Sequence, residues 1–163
     1  MIVFFRSFAG VNRMPTFDTS FIVHAPLEAL AAFHDDTRTL KKLNPPPILV
    51  QLHRVDPLGE GSVSEFTLWM GPLPIRWRAV HSDVGPHGFT DTQESGPLAY
   101  WKHTHSFVAV DANTTRVSEH IEYRYAPGLK GLFSRLLFGK PGLTFLFAYR
   151  AFATRRAVEG QPK

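Results

Sequence analysis

The chain has 163 residues, 44% of them hydrophobic and 20% charged, which suits one domain that buries a core without disulfides or a structural metal. It contains no cysteine, so disulfide scaffolds, thiolate metal sites and cysteine nucleophiles are excluded, and a cytoplasmic setting fits. The net charge of +4 is spread without a dense Lys/Arg stripe, which argues against nucleic acid as a partner, while 14 Phe call for something large and apolar to be enclosed.

Residues 1–13, MIVFFRSFAGVNR, begin apolar but are too short, and too soon interrupted by Arg6, for a signal peptide or a membrane span. They read as a disordered leader or as the product of an upstream start codon, with a single domain over 14–158 and a tail over 159–163. Phe17 to His24 alternates as a strand. Ala25-Pro26 then opens a helix, because Pro is tolerated in a first turn, and Leu27, Leu30, Ala31 and Phe33 or His34 recur at helical spacing. That run extends to about Leu43, where Asn44-Pro45-Pro46-Pro47 stops it.

Ile48 to Val55, Gly61 to Met70 and Pro74 to Asp83 follow as strands, joined by the turn-rich segments DPLGEG and GPLP. Phe66, Leu68 and Met70 share a face of one, and Ile75, Trp77, Ala79 and His81 share a face of the next. From Phe89 to Tyr125 a period of two persists, cut by ESGP and DANT into three strands of an antiparallel meander. Its middle strand puts Trp101, His103, His105 and Phe107 on one face and Lys102, Thr104 and Ser106 on the other. Phe89, Asp91 and Gln93 repeat the pattern before it, and Val117, Glu119, Ile121, Tyr123 and Tyr125 repeat it after.

Directly paired residues share a face, so Asp91 is expected opposite or diagonal to Trp101 and His103, and Glu119 close to His105 or Phe107. A sheet roofing a dry core would not place two acids and two histidines there, since unpaired buried polar groups are destabilising. A cavity is the simplest explanation. Beyond Ala126-Pro127-Gly128, helical spacing resumes at Leu129, with Leu132, Phe133, Leu136 and Leu137 on an apolar side. Gly139-Lys140-Pro141-Gly142 breaks it, and a second helical run covers Leu143 to about Val158. This apolar, basic segment fits a helix clasped by the sheet with Lys130, Arg135 and Lys140 solvated, and less well a helix resting weakly on an anionic membrane.

In its order of elements the chain resembles the START-like or SRPBCC superfamily, which includes polyketide cyclase and dehydrase-like proteins and coenzyme Q-binding proteins. The resemblance rests on FIVHAPLEALAAF, LNPPP, FTDTQESGPLAYWKHTHSF and FAYR, and covers about Thr16 to Val158. These pieces are similar to those of a bacterial ligand-binding subfamily. The resemblance implies an α+β helix-grip fold: a seven-stranded antiparallel sheet curled around a long C-terminal helix, with two short helices between strands one and two. It also implies a pocket between sheet and terminal helix for a hydrophobic molecule, with Arg150 of FAYR pairing with a carboxylate or capping the pocket. The break at 139–142 departs from the pattern by splitting the terminal helix.

The expected ligand contacts are Phe66, Leu68, Trp77, Phe89, Asp91, Trp101, His103, His105, Glu119, Ile121, Tyr123, Phe147 and Arg150. Two functional classes stay open. One is binding or transport of a lipid, quinone or polyketide-type molecule. The other is a cyclase- or dehydrase-like enzyme in which His103 and His105, with Asp91 and Glu119, act as acid and base. No cofactor is called for, and no metal either, because the pair at i and i+2 lacks a recognisable metal-ligand spacing.

Overall fold

The computed structural model describes residues 14–159, so the reading of 1–13 as a leader lies outside the described residues. Seven strands, β1 (Thr16–Val23), β2 (Leu49–Val55), β3 (Val63–Met70), β4 (Leu73–Gly85), β5 (Gly88–Ser95), β6 (Leu98–Asp111) and β7 (Thr114–Tyr125), form one antiparallel sheet. Their order is β1-β7-β6-β5-β4-β3-β2. β2 to β7 are therefore a continuous meander, and only β1 pairs out of sequence, against β7. The helix-grip expectation holds, with a sheet that is open: β1 and β2 are its two edges.

The link between those edges is α1 (Leu27–Asp35) and a 3₁₀ helix (Thr37–Lys41). The single helical run expected up to Leu43 is thus two short helices. Asp36 separates them, because its extended backbone ends α1 while its carboxylate accepts a hydrogen bond from Arg38 N at 3.0 Å and starts the next turn. Asn44 closes that turn by donating from Nδ2 to Leu40 O at 2.7 Å.

Helix α2 (Gly128–Phe138) and helix α3 (Lys140–Val158) follow the sheet. The break expected over 139–142 is confined to Gly139, since α3 already contains Pro141 in its first turn, where the missing N–H is not needed. Leu143, Phe147, Ala151 and Thr154 form the buried stripe of α3. Leu143 and Phe147 meet Phe17, Trp101, Ile121 and Tyr123 in the main apolar cluster, while Val23, Leu30, Phe107 and Val117 build a second one with α1. At its C-terminal end α3 is held to the first strand by Arg155 Nε donating to Ile22 O at 2.8 Å, and by Glu159 accepting from His24 N at 2.7 Å.

The apolar side read into α2 is corrected in part: Phe133 and Leu137 are half-buried, Leu137 against the main apolar cluster. Leu132 and Leu136, with Leu129, are 69%, 76% and 87% exposed, and the helix instead buries Gly131, Ser134 and Phe138. The cause is close approach: a Cβ at Gly131 would collide with Ala126 O, and Ser134 Oγ donates to Pro97 O at 2.6 Å, so the small residues seat the backbone on the sheet's rim. Among the described residues, no helix is long and apolar enough to cross a membrane.

One backbone position fixes the floor of the sheet. Gly88 starts β5 at φ +132°, and a Cβ there would run into the carbonyl oxygen of His105 across the strand pair. Gly88→Ala is therefore expected to lower stability by about 2 kcal/mol or more, through left-region strain and separation of β5 from β6. Chemical denaturation measures it, and an unchanged midpoint would show that the strands part without penalty.

Candidate functional site

The period-two pattern delivers four ionisable side chains to one patch of the sheet. Asp91 on β5 pairs directly with His103 on β6, and His105 on β6 pairs with Glu119 on β7. All four lie on the face toward α3, and they interlock: His103 Nε2 is 2.8 Å from Glu119, His105 Nε2 is 3.3 Å from Asp91, and both are hydrogen bonds. The Nδ1 atoms complete the square, His103 Nδ1 at 3.2 Å from Asp91 and His105 Nδ1 at 2.8 Å from Glu119. These last two contacts lie off the hydrogen-bonding direction, and His105 Nδ1 has no hydrogen-bond partner among the described residues, so they count as charge contacts.

Burial and charge pull in opposite directions here. Burial pushes the Asp91 carboxyl up, but the charge of His103 and the bonds from both rings outweigh it and hold Asp91 well below the usual carboxylate range. Glu119 is likewise raised by burial and more strongly lowered by His105 and then by the bond from His103. Burial works against a charged His105, yet Glu119 and Asp91 raise it from 6.5 to about 9. The square therefore holds two carboxylates and an imidazolium at neutral pH.

His34 on α1 faces it, its ring centroid 6.0 Å from that of His105. Its Nδ1 donates to Leu30 O at 3.0 Å, which leaves Nε2 as the lone-pair nitrogen. Burial, and next the charge of His105, lower it to about 4, so it is neutral where its neighbour is charged. The sequence had signalled only a residue on the apolar side of α1.

Above the square is a cavity of about 130 Å³. Of the expected contacts, Phe66, Leu68, Trp77, Phe89, Asp91, Trp101, His103, His105 and Arg150 line it. Glu119 lies beneath the imidazoles, and Ile121, Tyr123 and Phe147 sit in the apolar cluster without lining the cavity. Phe147 nevertheless positions two lining groups: its ring is edge-on to His103 at 5.2 Å, and the Arg150 guanidinium lies over it at 5.0 Å. Sequence reading missed the lining residues His34, Ser64 and His81. His81 was on the correct face, and Ser64 is two residues before Phe66 in β3, so the alternation that selected their neighbours would have selected them. A second recess of about 440 Å³ lies between α2, the start of β4 and the Gly96-Pro97 turn, away from these groups.

Asp91, His103 and His105 present ligand atoms within 4.8 Å of one another, so their spacing would admit an ion despite the absence of a sequence signature. The same atoms already form imidazole–carboxylate pairs, and a protonated imidazole has no lone pair to give a metal.

No family model matches the chain, and no curated protein does. Solved structures do. An aromatase/cyclase named Zhui from a Streptomyces species, R1128, superposes with a TM-score of 0.67 at 14% identity over 93% of this chain and 100% of its own. A START superfamily protein from Mycobacterium smegmatis gives 0.66 at 14% over 89% and 97%. Norcoclaurine synthase from Thalictrum flavum, in complex with dopamine and hydroxybenzaldehyde, gives 0.68 at 17% over 100% and 98%. At these identities the likeness is one of fold, and the fold is START-like.

The charges predict a pH dependence. His105, raised to about 9, contributes stability that is fully present below its ordinary 6.5 and is lost as pH rises through the folded value, by up to ~1.4 kcal/mol per pH unit. His34, lowered to about 4, resists protonation in the fold, so stability falls as pH drops below 6.5; the depressed carboxylates add a further loss below their ordinary values of 3.8 and 4.5. The melting temperature of the wild type should peak near the ordinary His value, and His105→Gln should flatten its alkaline limb; an alkaline limb unchanged in that variant would refute the ion-pair assignment. Elemental analysis of protein purified without chelator should find less than stoichiometric zinc, iron or manganese. A full equivalent that disappears in His103→Ala would replace the ion-pair square with a metal site.

Proposed function

We propose that the protein binds a hydrophobic small molecule in the cavity between sheet and α3, as a carrier or sensor that does not transform it. The observation that carries this reading is a cavity walled by Phe66, Trp77, Phe89 and Trp101 whose ionisable floor is already engaged in internal imidazole–carboxylate pairs. A general base needs an accessible lone pair and a pKa near working pH. Asp91 and Glu119 are held far below that, and His105 keeps its proton to about 9. Moving a proton out of the square would break contacts on both sides of the ring.

Size narrows the guest. A cavity of about 130 Å³ is similar to the ~150 Å³ apolar cavity that accepts benzene, so it takes one ring as it stands. A longer lipid, quinone or polyketide would have to protrude past Asp36 and Thr37 at the surface end, or displace that segment. The norcoclaurine synthase neighbour, solved with dopamine and hydroxybenzaldehyde, holds one-ring molecules in a similar fold, which supports a guest of this scale.

A second reading, a cyclase-like enzyme, is favoured by one observation. His34 and His105 face each other with their titration pushed apart, to about 4 and about 9, the pattern of a base and an acid set by their surroundings. The names of two fold neighbours, an aromatase/cyclase and norcoclaurine synthase, lend it support. In this reading His105 is the proton donor and Nε2 of His34 the acceptor, with His103, Asp91 and Glu119 holding the donor in place.

Native mass spectrometry with organic extraction, followed by titration with apolar fluorescent probes, tests the first reading; no bound mass and no probe binding would refute it. For a binder, His103→Gln should shift affinity by about 1–3 kcal/mol, the scale of one buried hydrogen-bonded group, with the fold intact. For an enzyme, turnover of aromatic polyketide or activated-ester substrates should fall by about a hundredfold or more in His105→Gln while binding persists.

A further inference from the structure

Two polar groups in the cavity wall are left over once the square has satisfied itself. Arg150 Nε, on α3, is sealed from solvent and has no hydrogen-bond partner among the described residues, although the residue as a whole is only half-buried. Ser64 Oγ, on β3, is equally sealed and equally without a partner among them. Both residues line the same cavity, and the walls between are aromatic. Leaving a buried donor unpaired is destabilising, and more so when it belongs to a charged group, so orphaned donors that share one cavity mark where a ligand's acceptors belong.

Neither nearby acid hydrogen-bonds to Arg150 Nε. Asp91 and Glu119 each engage both imidazoles through a single oxygen, Oδ2 and Oε2. Burial lowers the Arg150 guanidinium from its ordinary value, and against it the field of Glu119, then that of Asp91, favours its charge. At the mouth, the Asp36 carboxylate is paired with Arg38 at 2.8 Å, so it is a screened charge there. The guanidinium is thus fixed over Phe147, charged, and short of a hydrogen-bonded counter-ion.

We infer that the cavity is built for an acidic one-ring guest: a small aromatic or cyclic carboxylate whose anionic group pairs with Arg150 and whose ring lies against the aromatic wall of Trp77 and Trp101. Ser64 takes a second acceptor, such as a ring hydroxyl. This rests on the reading of the cavity as a ligand site and adds to it the chemical class of the ligand. A carboxylate suits Arg150 better than a ketone oxygen does, because it accepts charge-assisted hydrogen bonds, roughly twice as strong as neutral ones, and supplies the missing charge.

The test is a titration of intact protein followed by tryptophan fluorescence, since Trp77 and Trp101 line the cavity. Benzoate, 4-hydroxybenzoate, methyl benzoate and benzylamine serve as probes. Benzoate should bind about tenfold or more tightly than methyl benzoate, corresponding to one charge-assisted contact. The acid-over-ester preference should collapse in Arg150→Met and be partly kept in Arg150→Lys, and the extra gain from the 4-hydroxyl should vanish in Ser64→Ala. Equal binding of benzoate and methyl benzoate to the wild type, a comparison that needs no variant to fold, would overturn the acidic assignment while leaving the ligand site standing. An acid preference that persists in Arg150→Met would overturn the role of Arg150. Binding of no probe at all would overturn the ligand site itself, and the inference with it.

Discussion

Everything in this molecule depends on four ionisable side chains being paired across three adjacent strands. Asp91, His103, His105 and Glu119 come from β5, β6 and β7, and each imidazole touches both carboxylates. A slip of one residue between β6 and either neighbour would turn one acid to the outer face and leave a buried imidazole without its partner. Each broken pair of this kind is worth several kcal/mol, whereas slipping a purely apolar strand loses only area. The square therefore acts as a register lock. Gly88 is part of the same lock, because only a residue without Cβ lets β5 approach the His105 carbonyl closely enough for Asp91 to reach both rings.

Once the register is set, the cavity follows from volume. The square raises a polar layer from the sheet, so the apolar stripe of α3 cannot close on it uniformly. Phe147 fits against His103, and Arg150 is pushed to the side over the Phe147 ring. The remaining space is roofed by α1 and the 3₁₀ helix, which contribute His34, Thr39 and Leu40. Apolar walls above an internally paired polar floor give the space a direction, so an amphipathic guest has one favourable orientation.

Much of this was legible in the sequence because a period of two is a strong signal and directly paired residues must share a face. With the turns ESGP and DANT, that period put Asp91 opposite or diagonal to Trp101 and His103, and Glu119 close to His105 or Phe107; the strand register selects His103 for Asp91 and His105 for Glu119. The helical parts were less legible. The spacing of α2 offers two apolar faces, and Gly131 with Ser134 decided between them by letting the backbone sit against Ala126 and Pro97, a contact that no local pattern encodes. The split at Asp36 depended on a side-chain cap competing with an otherwise continuous helical run. His34 entered the site through the packing of α1 on β6, a long-range contact, and Ser64 through nothing more than its place in the alternation of β3.

The way the helices are tied indicates where the cavity has room to change. The C-terminal end of α3 is fastened to the first strand by Arg155 and Glu159, and its first half is locked by Leu143 and Phe147 in the apolar cluster. Enlargement of the cavity by tilting α3 would break both sets of contacts at once. The other walls are held more lightly. The 3₁₀ helix rests on a side-chain cap at Asp36 and on Asn44, and its Asp36 and Arg38 are exposed. Breaking a few hydrogen bonds there, each worth about 1 kcal/mol net, is far easier than unpacking buried aromatics. The wall with most room to give is therefore the segment around Asp36 and Thr37, whereas Phe138, next to the break at Gly139, is packed into the cavity wall and the apolar cluster.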